Sequence, residues 1–130
     1  MHRLIRLNWR GAIMASSAAL ALSGCGSSAP PVSSTTAEAT VHGTVKYKGA
    51  PVEAGNIRFD PSNIQRRDAK IASAPIGKDG TYKVTTLQGG NVVRFELSPE
   101  LRKKDPRLAT SEKEYDVPSG DSTLDIELAP

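Results

Sequence analysis

Residue types that build metal centres or nucleophilic sites are scarce in this sequence. Its 130 residues include one cysteine and two histidines. A single thiol excludes a disulfide within the chain and a thiolate metal cluster. Beyond residue 24 only His42 remains, so a site with two histidine ligands is excluded as well. A Ser-His-acid triad would have to use that same imidazole, and no G-x-S-x-G motif accompanies it.

Long hydrophobic runs are also lacking. The apolar stretch at residues 11–22 has about a dozen residues, whereas a bilayer-spanning helix needs about 20. Arginines precede this stretch and small residues follow it, which is the three-part pattern of a secretory signal. An amphipathic helix packed on the domain is disfavoured, because the apolar residues form a block rather than a stripe. The sequence therefore predicts a signal peptide over residues 1–24.

An excess of positive charge disappears once this signal is set aside. The whole chain has a formal charge of +3 and a pI near 9.2. The excess equals Arg3, Arg6 and Arg10, which all lie in the predicted signal, where no acidic residue occurs. The rest of the chain is neutral, so we expect no nucleic-acid partner.

The composition of the whole chain, with 38% apolar and 24% charged residues, is typical of a globular protein, and its length allows one small domain. Residues 26–39 are rich in serine, threonine, alanine and proline, and Val32 is their one large apolar side chain. Such a segment cannot offset its ordering entropy by burial. We therefore expect residues 25–39 to form a disordered tether and residues 40–129 to form the folded domain.

Within the predicted domain, apolar and polar residues alternate with period two. Val41 and Val45, for example, fall on one face of a predicted strand, which we expect to be buried, and His42 and Lys46 fall on the other, which we expect to be solvated. The segment 70–76 has an ambiguous face, since Ile71 competes with the alanines beside it. No stretch has a convincing helical period, so the sequence predicts an all-β, seven-stranded sandwich. The predicted strands are 41–48, 56–60, 70–76, 81–85, 93–98, 114–117 and 123–128.

The end of the signal, Leu22-Ser23-Gly24-Cys25, resembles the lipobox of bacterial lipoproteins. The resemblance implies that signal peptidase II recognises Leu22, Ser23 and Gly24 and cleaves before Cys25. It further implies a diacylglycerol on the Cys25 thiol and an acyl chain on its amino group, and no other cofactor. The mature protein is then exported and lipid-anchored, and Gly26 favours the outer membrane or cell surface over the inner membrane.

A second resemblance rests on three segments, which read VHGTV at 41–45, GAPVEAGNIRF at 49–59 and KDGTY at 78–82. They are similar to the carboxypeptidase regulatory-like family, which implies a transthyretin-like or immunoglobulin-like sandwich. The chain also resembles the small planctomycete lipoproteins that pair a lipobox with this domain. In this family the domain is a non-catalytic accessory without zinc ligands, so the resemblance implies no enzymatic activity.

Two kinds of charged cluster are candidate sites. The acidic residues Glu112, Glu114 and Asp116 alternate along one predicted strand, as do Asp125 and Glu127 in the last, and either set is compatible with a weak calcium site or with a solvated edge strand. Basic clusters fall in the loops 61–69 and 99–113, and they are compatible with binding to anionic lipid or acidic glycans or with plain solvation. The basic residues are Arg66, Arg67, Arg102, Lys103 and Lys104.

From the sequence we expect a membrane-anchored envelope lipoprotein with a structural or adaptor role. Its partners are then membrane lipid, through the anchor, and an envelope protein or glycan. One alternative is a carbohydrate- or protein-binding module that serves a partner enzyme. Another is a small transthyretin-related hydrolase, which the single histidine disfavours.

Overall fold

The computed structural model describes residues 32–128, and this part of the chain is mostly β, as predicted. Its strands form two sheets that pack face to face. In chain order the elements are β1 (Glu38–Tyr47), β2 (Ala50–Pro51), β3 (Gly55–Asp60), β4 (Ala72–Pro75), β5 (Thr81–Leu87), β6 (Gly89–Leu97), α1 (Pro99–Lys104), a 3-10 helix (Pro106–Thr110), β7 (Glu112–Val117), β8 (Ser122–Thr123) and β9 (Ile126–Leu128).

The first sheet is built around β1, which pairs antiparallel with β2 and β5 and parallel with β8 and β9. The second sheet has the order β4-β3-β6-β7, and all of its pairs are antiparallel. Alternate residues of each sheet point into the space between them and form one core. The fully buried side chains at its centre are Phe59, Ile57, Leu108, Val41, Val45, Val93 and Pro61.

All seven predicted strands are present, and the predicted faces hold. In β1, Val41 and Val45 are buried while His42 and Lys46 are exposed. The ambiguous segment 70–76 turns Ala74 and Ile76 inward and leaves Ile71 exposed. The strand count rises to nine because the short β2 pairs beside the first turn and the last predicted strand is interrupted between β8 and β9.

The interruption falls at Leu124 and Asp125. A carboxylate oxygen of Asp125 accepts hydrogen bonds from the backbone N–H and the hydroxyl of Thr44, both at 2.9 Å. The backbone of β1 therefore bonds to a side chain at this point instead of to a strand. A Cβ on Gly43 would overlap the carbonyl group of Leu124, so the close approach requires glycine. The same carbonyl oxygen accepts a 2.6 Å bond from the buried Tyr82 hydroxyl.

The expectation of no helix was wrong in one place. The loop 99–113 contains α1 and the 3-10 helix. Ser98 caps α1 by accepting a hydrogen bond from the N–H of Leu101 at 3.4 Å, and Pro99 occupies the first turn, where its missing N–H costs nothing. With six residues, α1 is too short for a helical period to be visible in the sequence.

Candidate functional site

The predicted lipidation site lies outside the described residues. Cys25 and the preceding Leu22, Ser23 and Gly24 all come before residue 32. Within residues 32–128, no helix has the length and apolar character that crossing a bilayer requires. The structure instead describes where the chain from that site enters the domain and which surfaces the domain presents.

The entering chain meets a buried arginine. Arg66 is only 6% exposed, and its Nη1 donates to the carbonyl oxygens of Thr35 at 3.1 Å and Gln88 at 2.6 Å, while its Nη2 donates to that of Gly90 at 2.9 Å. Among residues 32–128 no carboxylate pairs with it, and its Nε lacks a hydrogen-bond partner. Carbonyl dipoles alone therefore stabilise this buried charge. We call Arg66 and its three carbonyl partners the arginine clasp.

A second group of hydrogen bonds fastens the same segment. The Asn63 amide donates to the carbonyl oxygen of Ser33 at 2.9 Å, and the Ser33 hydroxyl accepts from the N–H of Gly90 at 3.2 Å. The Asn63 side-chain oxygen also accepts from the N–H of Arg66 at 3.0 Å, which turns that residue inward. The folded part therefore includes residues 33–37, which the sequence assigns to the tether, and β1 begins at Glu38 instead of near residue 40.

The clasp corrects one expectation for the loop 61–69. From the sequence, the same two interpretations apply to Arg66 and Arg67: they bind an anionic surface, or they are solvated loop residues. Arg67 is exposed, whereas Arg66 is buried and fastens the entering chain. No local pattern distinguishes these neighbours, because the three acceptors of Arg66 lie 22 to 31 residues away in the sequence.

Beside the clasp, a groove of about 450 Å³ lies on the outer face of the second sheet. Its floor includes a cross-strand row in which Val92 lies between Asp60 and Glu114. The next row pairs Gly90 with Asp116. A Cβ on Gly90 would meet no atom within 4 Å, so the groove stays open above this residue. We call this cavity the outer groove.

The carboxylates of the outer groove differ in their surroundings. Asp60 accepts from Arg94 at 3.2 Å, and Arg94 also donates to Glu112 at 3.3 Å. No ion pair joins Glu114 or Asp116 to a basic side chain within residues 32–128. The strand β7 thus presents two uncompensated carboxylates on its outer face.

β7 is also the last strand of its sheet, with β6 as its one partner among the described strands. On its inner side, near its first residues, a cavity of about 300 Å³ separates β7 from β9. Phe95, Ile126 and Leu128 supply the apolar part of its lining. We call it the inner cavity. An unpaired strand edge is therefore flanked by the outer groove at one end and by the inner cavity at the other.

The opposite end of the sandwich carries the predicted basic cluster. Arg102, Lys103 and Lys104 are exposed in the last turn of α1, where positive charge complements the helix dipole. Next to α1, a cavity of about 410 Å³ is lined by Tyr47, Pro51, Glu53, Glu100, Leu101 and other residues. The strand β1 has ten residues, so this end lies about 30 Å from the clasp.

The same end contains a buried carboxylate, Asp105, which is 4% exposed. Its oxygens accept from the Arg107 guanidinium at 3.0 Å and from the Tyr47 hydroxyl at 3.3 Å. It also caps the 3-10 helix by accepting from the N–H of Arg107. Hydrogen bonds from the Arg107 side chain are the main reason that the pKa of Asp105 lies below its ordinary value.

The structure does not gather the candidate calcium ligands into one site. Glu112 pairs with Arg94, Asp125 bonds to Thr44, and Glu127 accepts from the N–H of Gly49 at 2.8 Å. Within residues 32–128, no three histidine, cysteine or acidic side chains are placed to share a metal ion. His42 is exposed, as predicted, and its Nε2 lies 3.0 Å from the Thr123 hydroxyl.

Comparison with known proteins supports the fold alone. No protein-family model matches the chain, and no curated protein sequence matches it. The solved structure of a DUF3823 family protein from Parabacteroides merdae is similar, with a TM-score of 0.53 and 16% sequence identity. The similarity covers 72% of this chain and 46% of that one, so this chain spans less than half of that protein.

Proposed function

We propose that this chain is a lipid-anchored protein of the bacterial cell envelope whose non-catalytic β-sandwich has a structural or adaptor role. In this proposal Cys25 carries the diacylglycerol and an N-linked acyl chain. Two or more acyl chains hold a protein on a bilayer for long times, whereas one chain binds only marginally. Gly26 favours the outer membrane or the cell surface.

The observation that carries this proposal is the fastening of the entering chain. Arg66 bonds to Thr35, and Asn63 bonds to Ser33, so a pull on the anchor acts first on a fastened segment and not on β1. Between Cys25 and Ser33 a fully extended chain spans about 28 Å. The clasped end of the domain would therefore stay within about 30 Å of the lipid surface.

The chemistry of the described residues supports a non-catalytic role. Hydrogen bonds from Thr81 and Thr44 lower the pKa values of Asp79 and Asp125, and those from Arg107 lower that of Asp105. For Asp60, burial opposes the shift, but bonds from Ser62 and Arg94 outweigh it and lower the pKa. Carboxyl groups held in their ionised form are poorly suited to act as general acids at neutral pH.

We assign the domain to the carboxypeptidase regulatory-like class, as found in small planctomycete lipoproteins. The support is physical, because two of the motif residues have defined roles. Gly43 allows the close approach of β1 to Leu124, and Tyr82 bonds to the carbonyl oxygen of the same residue. The second candidate function is a module that recognises a protein or a carbohydrate. The unpaired β7 edge favours a protein partner over a sugar.

Substitution of the anchor residue tests the proposal. Cells that express Cys25→Ser should yield protein without incorporated labelled fatty acid, and it should move from the detergent phase to the aqueous phase after phase separation. Ser28→Ala, three residues further along, serves as the matched control and should behave as the parent does. Fatty-acid labelling of Cys25→Ser equal to that of the parent would overturn the lipoprotein assignment.

A further inference from the structure

The free edge of β7 combines three features. The strand has β6 as its single partner in the described part of the chain. Two carboxylates on its outer face, Glu114 and Asp116, form no ion pair there. Cavities adjoin it on both faces. An exposed strand edge offers unpaired N–H and C=O groups that template another strand.

The charge pattern decides which strand fits. Glu112, Glu114 and Asp116 occupy alternate positions on one face, about 7 Å apart along the strand. A second copy of β7 that pairs antiparallel keeps the same face outward, so it would place acidic residues against acidic residues, which is destabilising in cross-strand pairs. A strand with lysine or arginine at alternate positions would pair favourably with the two uncompensated carboxylates.

The inner cavity determines which side chains fit on the inward face of the added strand. Side chains of an added strand that point inward near Glu112 and Lys113 would meet the apolar surface of Phe95, Ile126 and Leu128. Basic side chains outward and apolar side chains inward form one period-two sequence. β7 has six residues, so the complementary segment would be about 20 Å long.

The outer groove provides room for the outward side chains. Gly90 faces Asp116 across the β6–β7 pair, and a Cβ at this position would meet no atom within 4 Å. Glycine within a strand usually weakens it and often marks a place where a ligand or another backbone approaches. Val32 and Ser33 line the same groove, so the fastened entering segment forms one of its walls.

We infer that the β7 edge binds an extended segment of a partner protein in which basic and apolar residues alternate, by addition of a strand to the second sheet. This inference deepens the adaptor role proposed above and rests on it for its biological setting. Binding itself requires only the folded domain. In such complexes main-chain hydrogen bonds give affinity, and the alternate side chains give specificity.

The test uses the full-length chain in detergent and fluorescent eight-residue peptides. A peptide of alternating lysine and valine should bind, and its binding should protect the amides of β7 from hydrogen exchange. An alternating glutamate-valine peptide and a peptide with lysines and valines in two blocks should bind at least about tenfold more weakly. Because lipidation is not needed for this binding, failure here leaves the anchor proposal standing, and the reverse also holds.

Variants distinguish specific binding at the β7 edge from a general attraction of cationic peptides to the protein. Joint substitution Glu114→Gln and Asp116→Asn should weaken binding of the lysine-valine peptide about tenfold, and Gly90→Leu should weaken it by obstructing the outer groove. The matched control, Glu53→Gln with Glu100→Gln beside α1, should leave binding unchanged. Equal binding of the alternating and block peptides would overturn the inference. The inference would also be overturned if the parent bound no peptide and the Glu114→Gln, Asp116→Asn protein associated with itself. The two carboxylates would then serve only to prevent the β7 edge from pairing with another copy.

Discussion

The two ends of the sandwich bury opposite charges in different ways. At the clasped end Arg66 bonds to carbonyl groups of three residues that lie 22 to 31 positions away in the chain. At the α1 end Asp105 bonds chiefly to Arg107, two positions away. The first arrangement joins separate segments, whereas the second organises one local turn.

This difference assigns distinct roles to the two ends. Loss of Arg66 leaves carbonyl groups of the entering chain and of the β5–β6 turn without their donor and frees the entering chain. Loss of Asp105 affects the cap of one short helix, the bonds from the neighbouring Arg107 and a single bond to Tyr47. We therefore expect Arg66 to contribute to the stability of the whole domain and Asp105 to contribute mainly to local order at the α1 end.

Arg66→Ala should have the largest effect. The substitution removes three hydrogen bonds and creates a void, so the free energy of unfolding should fall by about 3 kcal/mol. Denaturant unfolding of the full chain measures this loss, and limited proteolysis should show new cleavage within residues 33–37. The neighbouring Arg67→Ala is the matched control, because Arg67 is exposed. If the free energy of unfolding fell by a similar small amount in both variants, Arg66 would not be fastening the entering chain.

Asp105→Asn should have a smaller effect that depends on pH. The pKa of Asp105 lies below its ordinary value in the folded protein, mainly because Arg107 donates hydrogen bonds to it. A lowered pKa adds stability above the unfolded value near 3.9, and this contribution is lost as the pH falls through the folded value. The parent should therefore be more stable than the variant at pH 7, and the gap should close below about pH 4.

Unfolding of both proteins across pH 2 to 7 measures that gap. Asp68→Asn removes an exposed carboxylate near the clasped end and serves as the control. A constant difference between the parent and Asp105→Asn at all pH values would show that the cap geometry, and not the charge, accounts for the effect.

The same contrast explains what could be predicted from the sequence. Strands such as β1 and β6 were predictable, since each has one buried face and therefore alternates with period two. The outward position of His42 follows from that period. The path of the chain before β1 was not predictable in this way, because Arg66 and Arg67 are chemically identical and only distant carbonyl groups distinguish them.

The helix α1 is an intermediate case. Its start signals, Ser98 followed by Pro99, are visible in the sequence, but six residues are too few to show a helical period. The open edge at β7 was predictable in part. The alternation of Glu112, Glu114 and Asp116 indicates an edge strand, but the cavities beside it depend on how β9 and the entering chain pack.

Replacement of the basic cluster should have the smallest effect on stability. Arg102, Lys103 and Lys104 are exposed, so their joint substitution by glutamine should change the free energy of unfolding by about 0.5 kcal/mol or less. Their place at the α1 end also predicts how they meet a membrane. This end lies about 30 Å from the clasp, and electrostatic attraction is screened beyond about 8 Å at physiological salt.

The anchored triple variant should therefore bind vesicles that contain anionic lipid as the parent does. Arg67→Gln with Lys70→Gln, which removes exposed charges next to the clasp, should weaken that binding, because in the proposed lipid-anchored protein the entering chain would hold this end toward the lipid. Vesicle sedimentation at two salt concentrations measures both effects. A loss of binding confined to the triple variant would mean that the α1 end, and not the clasped end, meets the lipid surface.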